Sequence, residues 1–133
     1  MFLSGRSSDR TGDRKWHCVS GQVFAALFLA LSTIPGQPFG AVLFWLCLTG
    51  FAGFFWPTPF WALPTLTLTA SAAAGSIGFI NMWANLAGFL GNFQMGWLKQ
   101  RGFGDGTCLL LLASCYFIGG LFVSAVRVPT GRR

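Results

Sequence analysis

The sequence predicts an all-α integral membrane protein with four transmembrane helices. Three observations carry that expectation. Of 133 residues, 53% are hydrophobic and only 9% charged, where a soluble domain carries about 25% charged residues. Fifteen Phe and six Trp stand against three acidic residues, too little polar surface to cover a soluble core. The nine Lys and Arg fall in short clusters between apolar blocks, which is the pattern of loops flanking membrane spans. The net charge of +6 is therefore read as a membrane pattern, and no nucleic-acid partner is expected.

Residues 1–17 are polar and basic, with turn-forming glycines and Arg6, Asp9, Arg10, Asp13, Arg14 and Lys15. Lipid cannot take this stretch, so it reads as a loop at a membrane face. The first span is expected over 18–34. It is about 25 Å long as a helix, slightly short for a hydrocarbon core of about 30 Å. A cleavable signal peptide is not expected, because the leading polar stretch is long and three more apolar blocks follow. Pro35, Gly36 and Pro38 then turn the chain.

The second span is expected over 39–68, solidly apolar at first and then interrupted by Pro57, Pro59 and Pro64. Each proline removes a donor and frees a carbonyl one turn back. In lipid those carbonyls need neighbouring helices, hydroxyls or water, and Thr58, Thr65, Thr67 and Thr69 are candidates. Either a kinked packing helix or a cavity-lining half-helix fits this pattern.

The third span, 72–98, is the most informative. At about 100° per residue, Ala74, Gly78, Asn81, Asn85, Gly88, Asn92 and Gly96 fall within about 80° of one another. Phe79, Trp83, Leu86 and Leu90 lie opposite. A seam of carboxamides and small residues is costly against lipid, so it is expected to face protein or a water-filled cavity. A glycine-rich charged turn follows, with Lys99, Arg101 and Asp105, and then the fourth span, 107–126. Its Gly119 and Gly120 permit close helix approach.

Four spans allow an orientation test. Arg6, Arg10, Arg14, Lys15, Arg127, Arg132 and Arg133 fall on one side and only Lys99 and Arg101 on the other. The excess places both termini in the cytoplasm. Cys18, Cys47, Cys108 and Cys115 form no CxxC pair and the chain has one His. They read as small buried apolar residues, with no metal site, no cofactor and no catalytic constellation expected.

Two stretches support a family resemblance. Residues 5–17, GRSSDRTGDRKWH, resemble the cytoplasmic loop motif of the major facilitator superfamily. Residues 55–65 (FWPTPFWALPT), 72–91 (AAAGSIGFINMWANLAGFLG) and 95–99 (MGWLK) are similar to the end of its anion:cation symporter branch. The match covers nearly the whole chain and corresponds to the last four of twelve helices. Two positions depart from the pattern: Asn92 stands where relatives usually carry proline, and Gln100 where an acid is common.

The resemblance implies proton-coupled symport of an organic anion such as a sugar acid or aromatic acid across a bacterial inner membrane. It implies that Asn81 faces the central cavity. Asn85, Trp61 and Thr65 are candidate substrate contacts beside it. Asp9, Arg10, Gly12 and Arg14, with Lys15, would form a cytoplasmic gate. No charge lies within a span, so proton coupling would need parts not in this sequence. The chain therefore reads as a C-terminal fragment that does not transport alone. Its partners would be the lipid bilayer and either the missing N-terminal helices or other copies of itself. The alternative is a small four-helix membrane subunit acting through pairs such as Gly36/Gly40, Ala74/Gly78, Ala84/Gly88 and Ala87/Gly91.

Overall fold

The structure is a computed structural model that describes residues 14–126. They form five α-helices: α1 Arg14–Leu31, α2 Phe39–Gly53, α3 Pro57–Thr67, α4 Ala70–Gln100 and α5 Asp105–Ala125. There is no strand among the described residues. By length and composition α5 is long and apolar enough to cross a membrane, and α1 and α2 are shorter apolar helices.

The packed body is built on α1. Its most extensive contact is with α5, followed by α2 and α3. Thr33, just past α1, lies beside Gly106 of α5; Gln22 lies beside Gly119 and Gly120; Cys18 packs with Val123. The two helices are thus antiparallel. Small residues set their approach. A β-carbon added at Gly119 or Gly120 would meet Gln22 Oε1 at 3.5 Å, an ordinary contact with no room beyond it. Cys18, Ala25, Ala26 and Leu29 on α1, and Cys108, Ala113 and Val123 on α5, are the buried apolar residues of this seam.

The buried cysteines are those at the block edges. Cys18 and Cys108 lie on the α1–α5 seam, whereas Cys47 and Cys115 are exposed. The expectation that all four are buried is corrected here. Small residues are buried only where two helices approach, and among the described residues no neighbouring helix covers Cys47 or Cys115.

The turn between α1 and α2 is held by one side chain. Gln37 Nε2 donates to the carbonyls of Leu31 (2.8 Å) and Ile34 (3.2 Å). Gln37 Oε1 accepts from Trp45 Nε1 at 2.9 Å. This caps the open carbonyls at the end of α1 and ties them to the first turns of α2. Gly36 has φ +83°, a backbone state only glycine adopts without strain. Phe28 stacks on Trp45 and His17 on Phe55, which keeps α1 and α2 antiparallel along their length.

The expected second span runs as two helices. The chain leaves α2 at Phe54 and restarts at Pro57, because neither Pro57 nor Pro59 can donate to the turn before it. The break docks on α1. A β-carbon at Gly21 would lie 2.9 Å from Trp56 Cβ and 3.2 Å from Trp56 N, so only glycine lets the break sit there. Cys18 Sγ donates to the Trp56 carbonyl at 3.5 Å. That carbonyl also accepts from the Phe60 N–H at 3.2 Å, so the first turn of α3 and a cysteine on another helix share it.

Helix α4 behaves differently. At 31 residues it is about 46 Å long. Its contacts are with α3 and α5, the helices it joins, and every residue from 81 to 90 is exposed. It ends in a Schellman motif: Phe103 N–H bonds to the Leu98 carbonyl and Gly102 N–H to that of Lys99, with Gly102 at φ +85°. Lys99 Nζ and Asp105 Oδ1 pair across the turn at 2.8 Å. Arg101 lies over the Trp97 ring, 4.1 Å from its centroid.

Candidate functional site

The seam expected from the sequence is present on α4 and nothing in the described chain covers it. Ala74, Gly78, Asn81, Asn85, Gly88, Asn92 and Gly96 are all exposed. A β-carbon added at Gly78, Gly88 or Gly96 would meet nothing within 4 Å. The opposite face, with Phe79, Trp83 and Leu90, is equally open. The helix carries two unlike faces, one small and polar and one large and apolar, and packs neither of them along its middle.

The carboxamides turn onto their own helix. Asn85 Nδ2 donates to the Asn81 carbonyl at 2.8 Å and lies 3.4 Å from Asn81 Oδ1. Asn92 Nδ2 donates to the Gly88 carbonyl at 3.0 Å. Each bond satisfies part of a polar side chain that would otherwise be exposed on a largely apolar helix. Asn81 sits one turn before Asn85, near the middle of the seam.

The remaining candidates are spread out. Trp61 and Thr65 lie one turn apart on α3 and are exposed. Trp61 packs edge-on against Phe60, which in turn packs toward Cys18 and Val123. Arg14 is the first residue of α1. Asp9, Arg10 and Gly12 lie outside the described residues. No cluster of three or more metal-ligating side chains occurs among the described residues.

Sequence reasoning missed two glutamines. Gln37 organises the α1–α2 turn. Gln22, 6% exposed, is buried against Gly119 and Gly120, and its Oε1 has no hydrogen-bond partner. A lone glutamine inside an apolar block was the available signal for Gln22. A cavity of about 470 Å³ opens between α1 and α2, lined by Phe24, Phe28, Leu48, Phe51 and Phe55 among others. It includes none of the expected site residues.

The chain is similar to bacterial transport proteins along nearly its whole length. It is 38% identical over 92% of its length to a protein of Agrobacterium vitis named as a candidate tartrate transporter, and 36% identical over 95% to a second so named. It is 30% identical over 96% of its length to the inner membrane transport protein RhmT of Escherichia coli K12. In each case it spans little more than a quarter of the relative, 27% of the first two and 29% of the third. No family model matches the chain, and no solved structure does. These relationships do not favour a dedicated small membrane subunit. Along nearly all its length the chain is a homologue of one segment of these bacterial transport proteins, as expected of a fragment of a major facilitator superfamily transporter.

Proposed function

We propose that the chain forms one segment of a proton-coupled organic-anion transporter of the bacterial inner membrane, and that α4 supplies part of its substrate wall. The carrying observation is the open asparagine seam. A polar stripe on a largely apolar helix needs protein or water against it, and the relatives are more than three times as long as this chain. The segment's partners are then the remaining transporter helices.

Asn81 is the substrate contact in this reading. Its carboxamide can donate to a carboxylate and accept from a hydroxyl, the two groups a hydroxy acid such as tartrate presents. Asn85 supports it from one turn away, and Trp61 and Thr65 line the same region from α3. The topology supports a multi-pass arrangement with both termini on the cytoplasmic side. The start of α1 and the end of α5 lie side by side, where Cys18 packs with Val123. The α4–α5 turn joins α5 at its other end, beside Thr33. Seven of the nine basic residues flank the first of these ends in sequence, and Lys99 and Arg101 are in the turn. Asp9, Arg10, Gly12 and Arg14 would act there as a gate, with Asp9 pairing to a basic group or a helix N-terminus when the inside is closed.

The test is uptake of labelled tartrate by a full-length relative with alanine at the position aligned to Asn81. The expected result is a KM raised several-fold. An unchanged KM removes Asn81 from the substrate wall.

A further inference from the structure

The asparagine seam does not stop at Gly96. Helix α4 runs unbroken from Ala70 to Gln100. Asn81 and Lys99 are eighteen positions apart on it, which is about five turns. Lys99 therefore stands on the same line as Asn81, about 27 Å further along the axis. Between them Asn85, Gly88, Asn92 and Gly96 stay within about 60° of that line. All four are exposed, and so is Lys99. The seam ends on an ammonium.

The charges of the α4–α5 turn are sorted by face. Trp97 lies about 160° round the helix from Asn81. It holds the Arg101 guanidinium 4.1 Å from its ring centroid, on the side away from the seam. Lys99 Nζ pairs with Asp105 Oδ1 at 2.8 Å, and both side chains are largely exposed. An ammonium has three donors, so this pairing leaves two for an incoming carboxylate. The α1–α2 turn lies at the same end, with Thr33 beside Gly106, and has no charged residue between Leu31 and Phe39. Among the described residues, Lys99 is the one cation at this end on the seam side.

We propose that Lys99 recruits the substrate anion: it draws carboxylates to the mouth of the path that leads to Asn81, and Asp105 sets how much of its charge is available. This rests on the reading of α4 as part of the substrate wall, with this turn on the extracytoplasmic side. The distance decides the kind of effect. About 27 Å is more than three Debye lengths of about 8 Å at physiological salt. Lys99 thus adds nothing to an anion already at Asn81, and instead raises the anion's concentration at the mouth. A purely structural role is also available to the pair, with a cation at the C-terminus of α4 and an acid at the N-terminus of α5. That role makes Lys99 and Asp105 equivalent, since loss of either opens the turn. Recruitment makes their effects opposite in sign.

The test reads the local potential with thiol reagents of opposite charge. In the full chain, Cys47→Ser and Cys115→Ser remove the exposed native thiols. Gly96→Cys then puts a thiol on the seam about one turn before Lys99, where a β-carbon meets nothing within 4 Å. Its rates with an anionic and a cationic methanethiosulfonate are compared in mild detergent at low salt. Lys99→Gln should lower the anionic-to-cationic ratio about twofold or more, and Asp105→Asn should raise it. Arg101→Gln should change it less. In a full-length relative with lysine and aspartate at the aligned positions, the same two substitutions should lower and raise, respectively, the initial uptake rate at low tartrate. The maximal rate should stay unchanged. Shifts of the same sign for Lys99→Gln and Asp105→Asn, a ratio that neither moves, or an equal fall with Arg101→Gln would overturn the recruitment role. In the relative, a thiol at the position aligned to Gly96 that reacts with neither reagent means a seam closed to water, and the substrate-wall reading fails with it. A reactive thiol with an unmoved ratio fails recruitment alone. Should the chain fail to fold or self-associate over position 96, the relative decides.

Discussion

Asn85 donates its carboxamide N–H to the backbone carbonyl of Asn81, 2.8 Å away on the preceding turn of α4. The bond divides the two residues by role. Asn85 is committed to its own helix, while the Asn81 side chain stands free of the backbone ladder as an acceptor 3.4 Å from Asn85 Nδ2. In a full-length relative, alanine at the position aligned to Asn85 should raise the KM for substrate less than alanine at the position aligned to Asn81. Paired uptake curves measure this, and a larger effect at Asn85 would reverse the assignment.

The open face of α4 predicts self-association. Nothing in the described chain meets Gly78, Gly88 or Gly96, and seams of small residues and carboxamides associate in membranes through close packing and interhelical hydrogen bonds. The chain in mild detergent should sediment as oligomers, and Gly88→Cys combined with Cys47→Ser and Cys115→Ser, which removes the exposed native thiols, should yield disulfide-linked dimers on oxidation. A monodisperse monomer by sedimentation velocity would contradict this.

The α1–α5 seam is sensitive to added bulk. Gly120→Leu places several atoms where Gln22 and Val23 already stand within 3.6 Å, and overpacking of this kind costs about 1–3 kcal/mol. Gly21→Ala should cost a similar amount, since its β-carbon would fall 2.9 Å from Trp56 Cβ. Gln22→Leu should be neutral or stabilising by about 1 kcal/mol, because it removes a buried acceptor with no partner. Thermal unfolding in detergent, followed by circular dichroism, ranks the three.

The α4–α5 turn should weaken at high pH. Asp105 raises the Lys99 pKa, first through the hydrogen bond and then through its charge. A raised pKa means that folding favours the charged lysine. The stabilisation is fully present below the ordinary lysine pKa and is lost as pH rises through the raised one. Both groups are largely exposed, so the effect is small and salt-sensitive. Nitrogen NMR of the Lys99 ammonium should give a titration midpoint above that of the Asp105→Asn variant. Separately, Gly102→Ala should cost about 1–2 kcal/mol for a left-handed alanine.

Much of this organisation is legible from local chemistry. Pro35 and Gly36 mark the first turn, Gly102 the last, and the period of Asn81, Asn85 and Asn92 marks the seam. These signals are local, so a sequence pattern carries them. The helix–helix pairing is not local. Nothing in the spacing of Cys18 and Gly21 says that they receive Trp56, and nothing around Gln22 says that Gly119 and Gly120 lie against it. The start of α1 at Arg14 also falls inside the polar stretch read as a loop, because a helix ends where its hydrogen bonds end, whatever its hydropathy. The site itself is only partly legible, because its seam needs a facing surface that the described residues do not supply.

The most direct measurement is thiol accessibility along α4 in a full-length relative. Single cysteines are placed at the positions aligned to Asn81 and, on the opposite face, to Trp83 and Leu90, and are reacted with a charged, membrane-impermeant thiol reagent. The account predicts that the position of Asn81 reacts and that tartrate slows the reaction, while the other two stay inert. An inert cysteine at Asn81, or one that reacts at the same rate with and without tartrate, would contradict it.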